Sequence, residues 1–182
     1  MLNYVIIGLV VVFVAVFLVS DSDIFLNLAP YNEVNAFNGK VVWVVGASSG
    51  IGANLAIDLA KSGAKLAISA RRTDMLSAVA SNCTAYGSTP KVVKLDLLDS
   101  ASHQVAYDEV IKEFGHIDYV VLNAGRTQRS LALYTPIDVT KDVFALNFFS
   151  FVELTRIVLP EMIKSNKGQV SSSSLLISCI HP

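Results

Sequence analysis

The chain has 182 residues, of which 53% are hydrophobic and 16% are charged, against roughly 25% charged residues in an average globular protein. This composition excludes a disordered protein, and a net charge of -1 removes the electrostatic attraction on which nucleic-acid binding depends. Cys83 and Cys179 are too few for a disulfide scaffold or a four-cysteine zinc site. His103, His116 and His181 show no metal-ligand spacing and are expected on the surface or in loops.

The N-terminal segment carries most of the excess apolarity. Residues 2–19 contain no charge and would form a helix of about 27 Å, close to the hydrocarbon thickness of about 30 Å. We expect residues 1–20 to be an uncleaved membrane anchor, followed by a connector over 21–39. A cleavable signal peptide is the alternative, because Ser20 and Ser22 offer a small-x-small pattern.

The orientation of this anchor is not determined by the sequence. The first basic residue is Lys40, so the positive-inside rule has little to count. The triplet Asn82-Cys83-Thr84 is a glycosylation sequon, which would be used only in a lumen; a chance triplet is the simpler interpretation.

Residues 40–182 alternate short β-branched runs with longer helical patterns. The predicted strands cover 41–45, 65–69, 91–95, 117–122 and 170–177. The predicted helices cover 50–62, 74–83, 100–114 and 139–162. Ser100 is the expected N-cap of the third helix, and the fourth must bend near Pro160. This alternation predicts an α/β protein, in which a parallel sheet carries helices on both faces.

A glycine-rich turn, Gly46-Ala47-Ser48-Ser49-Gly50-Ile51-Gly52, lies between the first strand and the first helix. Gly46 permits a tight turn, Gly50 permits close approach of a pyrophosphate, and Gly52 permits close packing of helix on strand. The N-terminus of the helix then offers unpaired N–H groups to the phosphates. The context of strand, turn and helix predicts a dinucleotide site.

The glycine spacing G-x-x-x-G-x-G, together with Asn123-Ala124-Gly125 after the fourth strand, resembles the short-chain dehydrogenase/reductase family. The segments Ser69-Ala70-Arg71-Arg72 and 113–118 add to the resemblance, which runs from about residue 39 to 170. It implies a Rossmann-type doubly wound sheet, here incomplete with about five strands, and an oxidoreductase that uses NAD(P).

The resemblance also implies a set of cofactor residues. The end of the second strand carries Arg71 and Arg72 and no acid, which favours NADP(H) over NAD(H) because a basic residue pairs with the 2′-phosphate. Asp96 would contact the adenine, with helix capping as the alternative. The full set is Gly46, Ser48, Ser49, Gly50, Ile51, Gly52, Arg71, Arg72, Asp96, Leu97, Asn123, Ala124 and Gly125.

The catalytic residues that the family implies are only partly present. Asn147 matches the catalytic Asn that holds a water for proton relay, and Ser174 or Ser178 stands near the place of the catalytic Ser. In this sequence, no Tyr is followed four residues later by Lys. The Tyr-x-x-x-Lys pair would be expected just beyond residue 182, so the chain is interpreted as C-terminally truncated.

Three hypotheses follow. The first is an NADP-dependent oxidoreductase of the endoplasmic reticulum membrane that interconverts hydroxyl and carbonyl groups on a lipophilic, retinoid- or steroid-like substrate. This chain would be inactive alone. The second is a non-catalytic nucleotide-binding or dimerising protein, since the resemblance implies that helix 139–162 helps to form a homodimer. The third is an unstable product, because an incomplete sheet exposes strand edges and apolar faces.

Overall fold

The computed structural model describes Gly8 and residues 36–173. The chain divides into two compact units, Met1–Val34 and Asn35–Pro182. Apart from Gly8, the predicted anchor over 1–20 lies outside the described residues. The two candidate catalytic serines, Ser174 and Ser178, also lie outside them.

The second unit alternates strands and helices as the sequence predicts. Its strands are β1 (Val41–Val45), β2 (Lys65–Ala70), β3 (Lys91–Lys94), β4 (Tyr119–Leu122) and β5 (Gln169–Ser172). Its helices are α1 (Gly50–Lys61), α2 (Thr73–Thr84), α3 (Ser100–Phe114), α4 (Ile137–Phe144) and α5 (Ser150–Ser165). A short 3-10 turn covers Ala132–Tyr134, and a π turn over Ala145–Phe149 joins α4 to α5.

The five strands form one parallel sheet in the order β3-β2-β1-β4-β5. The central strand β1 is buried along its whole length; Val44 pairs with Ile68 on one side and Val121 on the other. The strand order reverses between β1 and β4. In open α/β sheets such a reversal creates a crevice at the carboxyl ends of the strands, where ligands bind.

Alternate residues of β1 feed two separate cores, one on each face of the sheet. Trp43 and Val45 pack with residues of α3 and α5, whereas Val42 and Val44 pack with residues of α1 and α2. The indole N–H of Trp43 donates to Ser69 Oγ at 3.0 Å, so this buried polar group is satisfied. The predicted doubly wound α/β fold is therefore confirmed.

The long helix is irregular at a different place from the one predicted. α5 continues through Pro160 to Ser165, and the irregularity is the π turn over Ala145–Phe149. Pro160 is exposed, so the carbonyl of Arg156 that loses its N–H partner can bind water instead.

The start of α3 also differs from the prediction. Asp99 is the N-cap, and its carboxylate accepts from the N–H of Ala101 at 3.2 Å; Ser100, predicted as the cap, is the first helical residue. Asp96 does not cap the helix, because its Oδ1 accepts from the N–H of Leu98 within the preceding loop. Asp99 and Ser100 are adjacent in the chain and each carries a side-chain oxygen that could cap the helix. The geometry of the loop selects Asp99.

The burial prediction for His103 was wrong, because this side chain is fully buried, while His116 is exposed as expected. On the long helix, Leu159 and Ile163 are 37% and 73% exposed, whereas Met162 is buried.

Within the described part of the chain, one helix, Ile137–Ser165, is long and apolar enough to cross a membrane. It belongs to the folded unit, since Phe151, Leu154 and Val158 on one of its faces lie in the core. A core helix passes the same test of length and composition, so this finding adds little to the predicted membrane anchor.

Candidate cofactor site

A cleft of about 260 Å³ opens at the carboxyl ends of the strands, where the strand order reverses. Its lining consists of Val45, Gly46, Ser48, Ser49, Ala70, Arg71, Arg72, Leu95, Leu97, Asn123, Ala124, Gly125 and Leu146. Most of the predicted cofactor residues are therefore brought together. Those that are not part of the lining are Gly50, Ile51, Gly52 and Asp96.

The glycines of the β1–α1 turn are required by close approach. Gly46 has a φ of +86°, and a Cβ there would lie 2.5 Å from the backbone nitrogen of Ala124. A Cβ on Gly52 would lie 2.3 Å from the carbonyl oxygen of Gly46. Gly50, with a φ of +60°, has no atom within 4 Å of an added Cβ, so space is open beside its backbone.

The N-terminus of α1 begins at this turn. Its N-cap, Ser49, has extended backbone and makes no side-chain capping bond, and the first turn holds no acidic residue. Because the first N–H groups of a helix have no partner within it, this end carries partial positive charge that no side chain neutralises here.

Two arginines give the cleft a positive charge. Arg71 and Arg72 follow β2, are exposed and line the cleft, and the lining contains no acidic side chain. Together with the uncapped helix end, they make the cleft suited to an anionic ligand.

The side chain of Asn123 connects the carboxyl ends of β1, β4 and β5 by hydrogen bonds. Its Nδ2 donates to the carbonyl of Gly46 at 3.3 Å, and its Oδ1 accepts from Ser173 Oγ at 2.8 Å. The sequence did not identify Ser173. Its signal was positional, since it directly follows β5 and its N–H donates to the carbonyl of Leu122 at the end of β4.

Asn147 lies in the π turn and is 5% exposed. Its Nδ2 donates to the carbonyl of Arg126 at 2.8 Å, and its Oδ1 accepts from the N–H of Arg126 at 2.9 Å. The amide therefore holds the loop after β4, next to Gly125. Its neighbour Leu146 reaches the cleft lining, which sequence reasoning missed because nothing distinguishes this leucine from a core residue.

Among residues 36–173, no group of three His, Cys, Asp or Glu side chains is placed to hold a metal ion. Among the described residues, the side chains whose pKa is shifted from its ordinary value lie outside the cleft. Burial raises the pKa of the Cys83 thiol, and burial together with the carboxylate of Glu161 raises the pKa of Tyr107.

The family model described as short chain dehydrogenase matches residues 40–175. The chain belongs to the short-chain dehydrogenase family. The resemblance drawn from the glycine turn and from Asn123-Ala124-Gly125 is thereby confirmed.

Among curated proteins, dehydrogenase/reductase SDR family member 7 of Mus musculus is 43% identical over 161 residues, which are 85% of this chain and 48% of that protein. The 11-beta-hydroxysteroid dehydrogenase 1A of Arabidopsis thaliana is 42% identical over 75% of this chain and 40% of its own length. The chain thus spans about half the length of the curated relatives it matches, or less.

Among solved structures, a metagenomic short-chain oxidoreductase in complex with NADP superposes with a TM-score of 0.71 at 29% identity. The match covers 75% of this chain and 62% of that one. The described unit therefore shares the fold of the matched part of that enzyme.

Proposed function

We propose that this chain binds NADP(H) in the cleft, as the nucleotide-binding part of a short-chain oxidoreductase. The observation that carries the proposal is the meeting of the glycine turn, the uncapped N-terminus of α1 and the two arginines at one edge of the sheet. The bound cofactor would supply the hydride. The chain's own residues would bind and orient it.

The phosphates and the 2′-phosphate have separate partners in this arrangement. The N–H groups at the start of α1 would bind the pyrophosphate beside Gly50, where the backbone is open. Arg71 and Arg72 would bind the 2′-phosphate through charge-assisted hydrogen bonds. The related structure that contains NADP supports the same preference.

A titration of the purified chain with NADPH and NADH, followed by fluorescence, tests the proposal. NADPH should bind more tightly, and Arg71→Ala with Arg72→Ala should raise its dissociation constant about tenfold or more, because charge-assisted bonds to phosphate are lost. NADH binding should change little. Lys61→Ala, at the far end of α1, is the matched control for removal of a positive charge. Equal binding of both nucleotides would refute the preference for NADP(H).

The reaction we propose for the complete site is interconversion of a hydroxyl and a carbonyl group. Asn147 would position the loop after β4 and assist proton relay. The sequence of 182 residues contains no Tyr-x-x-x-Lys pair to deliver the proton. We therefore expect no NADPH-dependent carbonyl reduction by this chain alone, and measurable turnover would contradict that expectation.

We further propose that residues 1–20 anchor the chain in the endoplasmic reticulum membrane, which would favour a lipophilic, retinoid- or steroid-like substrate. The uncharged run over 2–19 supports the anchor. Alkaline extraction of cell membranes tests it: the full chain should stay in the pellet, and deletion of residues 2–19 should release it. Release of both forms would contradict the anchor, and absence of co-staining with a reticulum marker would contradict the location.

The second candidate function is pairing through the long helix, and an exposed apolar stripe favours it. Phe149, Val152, Leu159 and Ile163 recur at helical spacing on one face, opposite the residues that enter the core. A stripe of this kind indicates an interaction surface. The proposed occupant is a second copy of the same helix.

A further inference from the structure

His103 is a buried ionisable side chain that lies between the wall of the cleft and α5. It is on α3 and has no exposed surface. Its Nε2 is 3.2 Å from the carbonyl oxygen of Leu97. The residue Leu97 is part of the lining of the cleft. The Nδ1 of His103 is 3.4 Å from Glu153 Oε2 on α5, and makes no well-directed hydrogen bond to any of the described residues.

The loop between β3 and α3 is held by two side chains of α3. Ser102 holds its two ends, since Ser102 Oγ lies 2.7 Å from the carbonyl oxygen of Asp96 and 2.8 Å from that of Asp99. Between these ends, the Leu97 carbonyl faces the imidazole of His103. His103 is therefore placed to help hold Leu97 in the cleft wall.

The two neighbours of the ring are both acceptors. A neutral imidazole has one N–H, and the buried Leu97 carbonyl assigns it to Nε2. The Nδ1 lone pair then faces the carboxylate of Glu153, so this contact joins two acceptors. Glu153 is itself held at the start of α3, because its Oε2 accepts from Ser100 Oγ at 2.7 Å.

We propose that His103 is a positioning residue for the nucleotide cleft, which fixes the Leu97 wall and couples it through Glu153 to α5. The proposal rests on the proposed function, namely that the cleft binds NADP(H). Leu97 follows β3, and Arg71 lies at the end of β2. Because β3 and β2 are neighbours in the sheet, Leu97 and the arginines line the same part of the cleft. The part of the ligand affected is therefore the half that carries the 2′-phosphate.

Removal of the imidazole donor tests this inference in the full chain. His103→Phe keeps a ring but leaves the Leu97 carbonyl unpaired. It should weaken binding of NADPH and of adenosine 2′,5′-bisphosphate about tenfold, because the wall that His103 no longer holds must be ordered when the ligand binds. His103→Gln offers an amide N–H in the place of Nε2 and should restore affinity to within about threefold of the parent.

Several outcomes would overturn the inference. A folded His103→Phe variant, as judged by circular dichroism, that binds like the parent refutes it. Equal losses in His103→Phe and His103→Gln refute it as well, since they would indicate packing alone. If the parent chain binds neither ligand, the proposed function itself fails, which is a distinguishable result.

Glu153→Gln tests the coupling to α5 with little risk to folding, because this side chain is half exposed. The amide of Gln can donate to Nδ1, which the carboxylate cannot, so this variant should tighten the binding of NADPH, and the gain should be lost when it is combined with His103→Phe. Unchanged affinity in Glu153→Gln would refute the coupling.

Hydrogen exchange measured without ligand is a second test of the role of His103. Exchange at the Leu98 amide should be faster in His103→Phe than in the parent chain. Unchanged exchange would count against the role of His103 in holding the loop.

Discussion

At the scale of single residues, the cleft depends on contacts that leave no room for a side chain. The β1–α1 turn and the loop after β4 touch through Gly46 and Ala124, and Gly52 lies against the backbone of Gly46. The glycine pattern is thus a packing requirement as well as a feature that opens space for a ligand. Tight packing of this kind makes even one added methyl group costly.

Gly52→Ala should lower the free energy of unfolding by about 1–3 kcal/mol, because the added Cβ meets the Gly46 carbonyl at 2.3 Å and the backbone cannot move away freely. Urea denaturation measures the change. Gly125→Ala is the control, since its Cβ would lie 3.7 Å from Asn147 Oδ1, an ordinary contact. Equal losses in the two variants would contradict this explanation.

Cys83 should be a protected thiol. It is fully buried on α2, and burial raises the pKa of its thiol, so little thiolate is available to react. In a Cys179→Ser background, alkylation by iodoacetamide should be about tenfold slower or more in the native chain than in urea. A cysteine introduced at exposed Ser81, with Cys83→Ser, should react rapidly in both states.

The same buried thiol should make stability depend on alkaline pH. The raised pKa of Cys83 means that the folded chain keeps a proton that the unfolded chain loses, so the free energy of unfolding falls as pH rises through this range. Urea unfolding at a series of alkaline pH values measures the slope, which should be smaller in Cys83→Ser. An unchanged slope would contradict a contribution from this thiol.

At the scale of secondary-structure elements, helix ends and faces decide how the sheet is covered. α3 begins where Asp99 caps it and ends at Gly115, which has a left-handed conformation. α5 presents its buried face to α3 and the sheet, and the π turn before it places Asn147 against the loop after β4. Such π turns are frequent at functional sites, because they redirect one residue of a helix.

The capping assignment at α3 is directly testable. Asp99→Ala removes the acceptor for the Ala101 N–H and should lower the free energy of unfolding by about 1 kcal/mol. Ser100→Ala, which removes only an exposed bond to Glu153, should change it by less than about 0.5 kcal/mol. Thermal and urea unfolding compare the two variants. The reverse order would restore Ser100 as the cap.

At the scale of the whole molecule, the long helix has one face in the core and another exposed. The core face includes Leu154 and Val158, and the exposed stripe includes Phe149 and Ile163. Both faces are apolar, which is why composition alone cannot separate a membrane span from a core helix with an interface. The contacts of Leu154 and Val158 place this helix within the domain.

Ile163→Glu should weaken the proposed pairing and shift the purified chain towards monomer, because a carboxylate would be buried within the apolar stripe. Sedimentation in detergent across a range of concentrations measures the change. Ser77→Glu adds the same charge to an exposed position on α2 and should leave association unchanged. A parent chain that is monomeric at all concentrations would contradict pairing through this helix.

Local sequence patterns predict the element types, the parallel sheet and most of the cleft. Strand β1 is a continuous apolar run, and the glycines stand where a strand meets a helix, so both are local patterns that a single chain shows. The family followed from the same residues, and the comparison with known proteins confirmed it.

The contacts between polar side chains, in contrast, depend on the tertiary structure. Glu153 lies beside His103, Ser173 donates to Asn123, and Asn147 holds the backbone of Arg126. In each case the two residues are far apart in the chain. Their positions depend on strand order and helix packing, which bring together segments that share no local pattern. Sequence periodicity reports which face of an element is apolar, but the partner of a buried polar group is set by the fold that surrounds it.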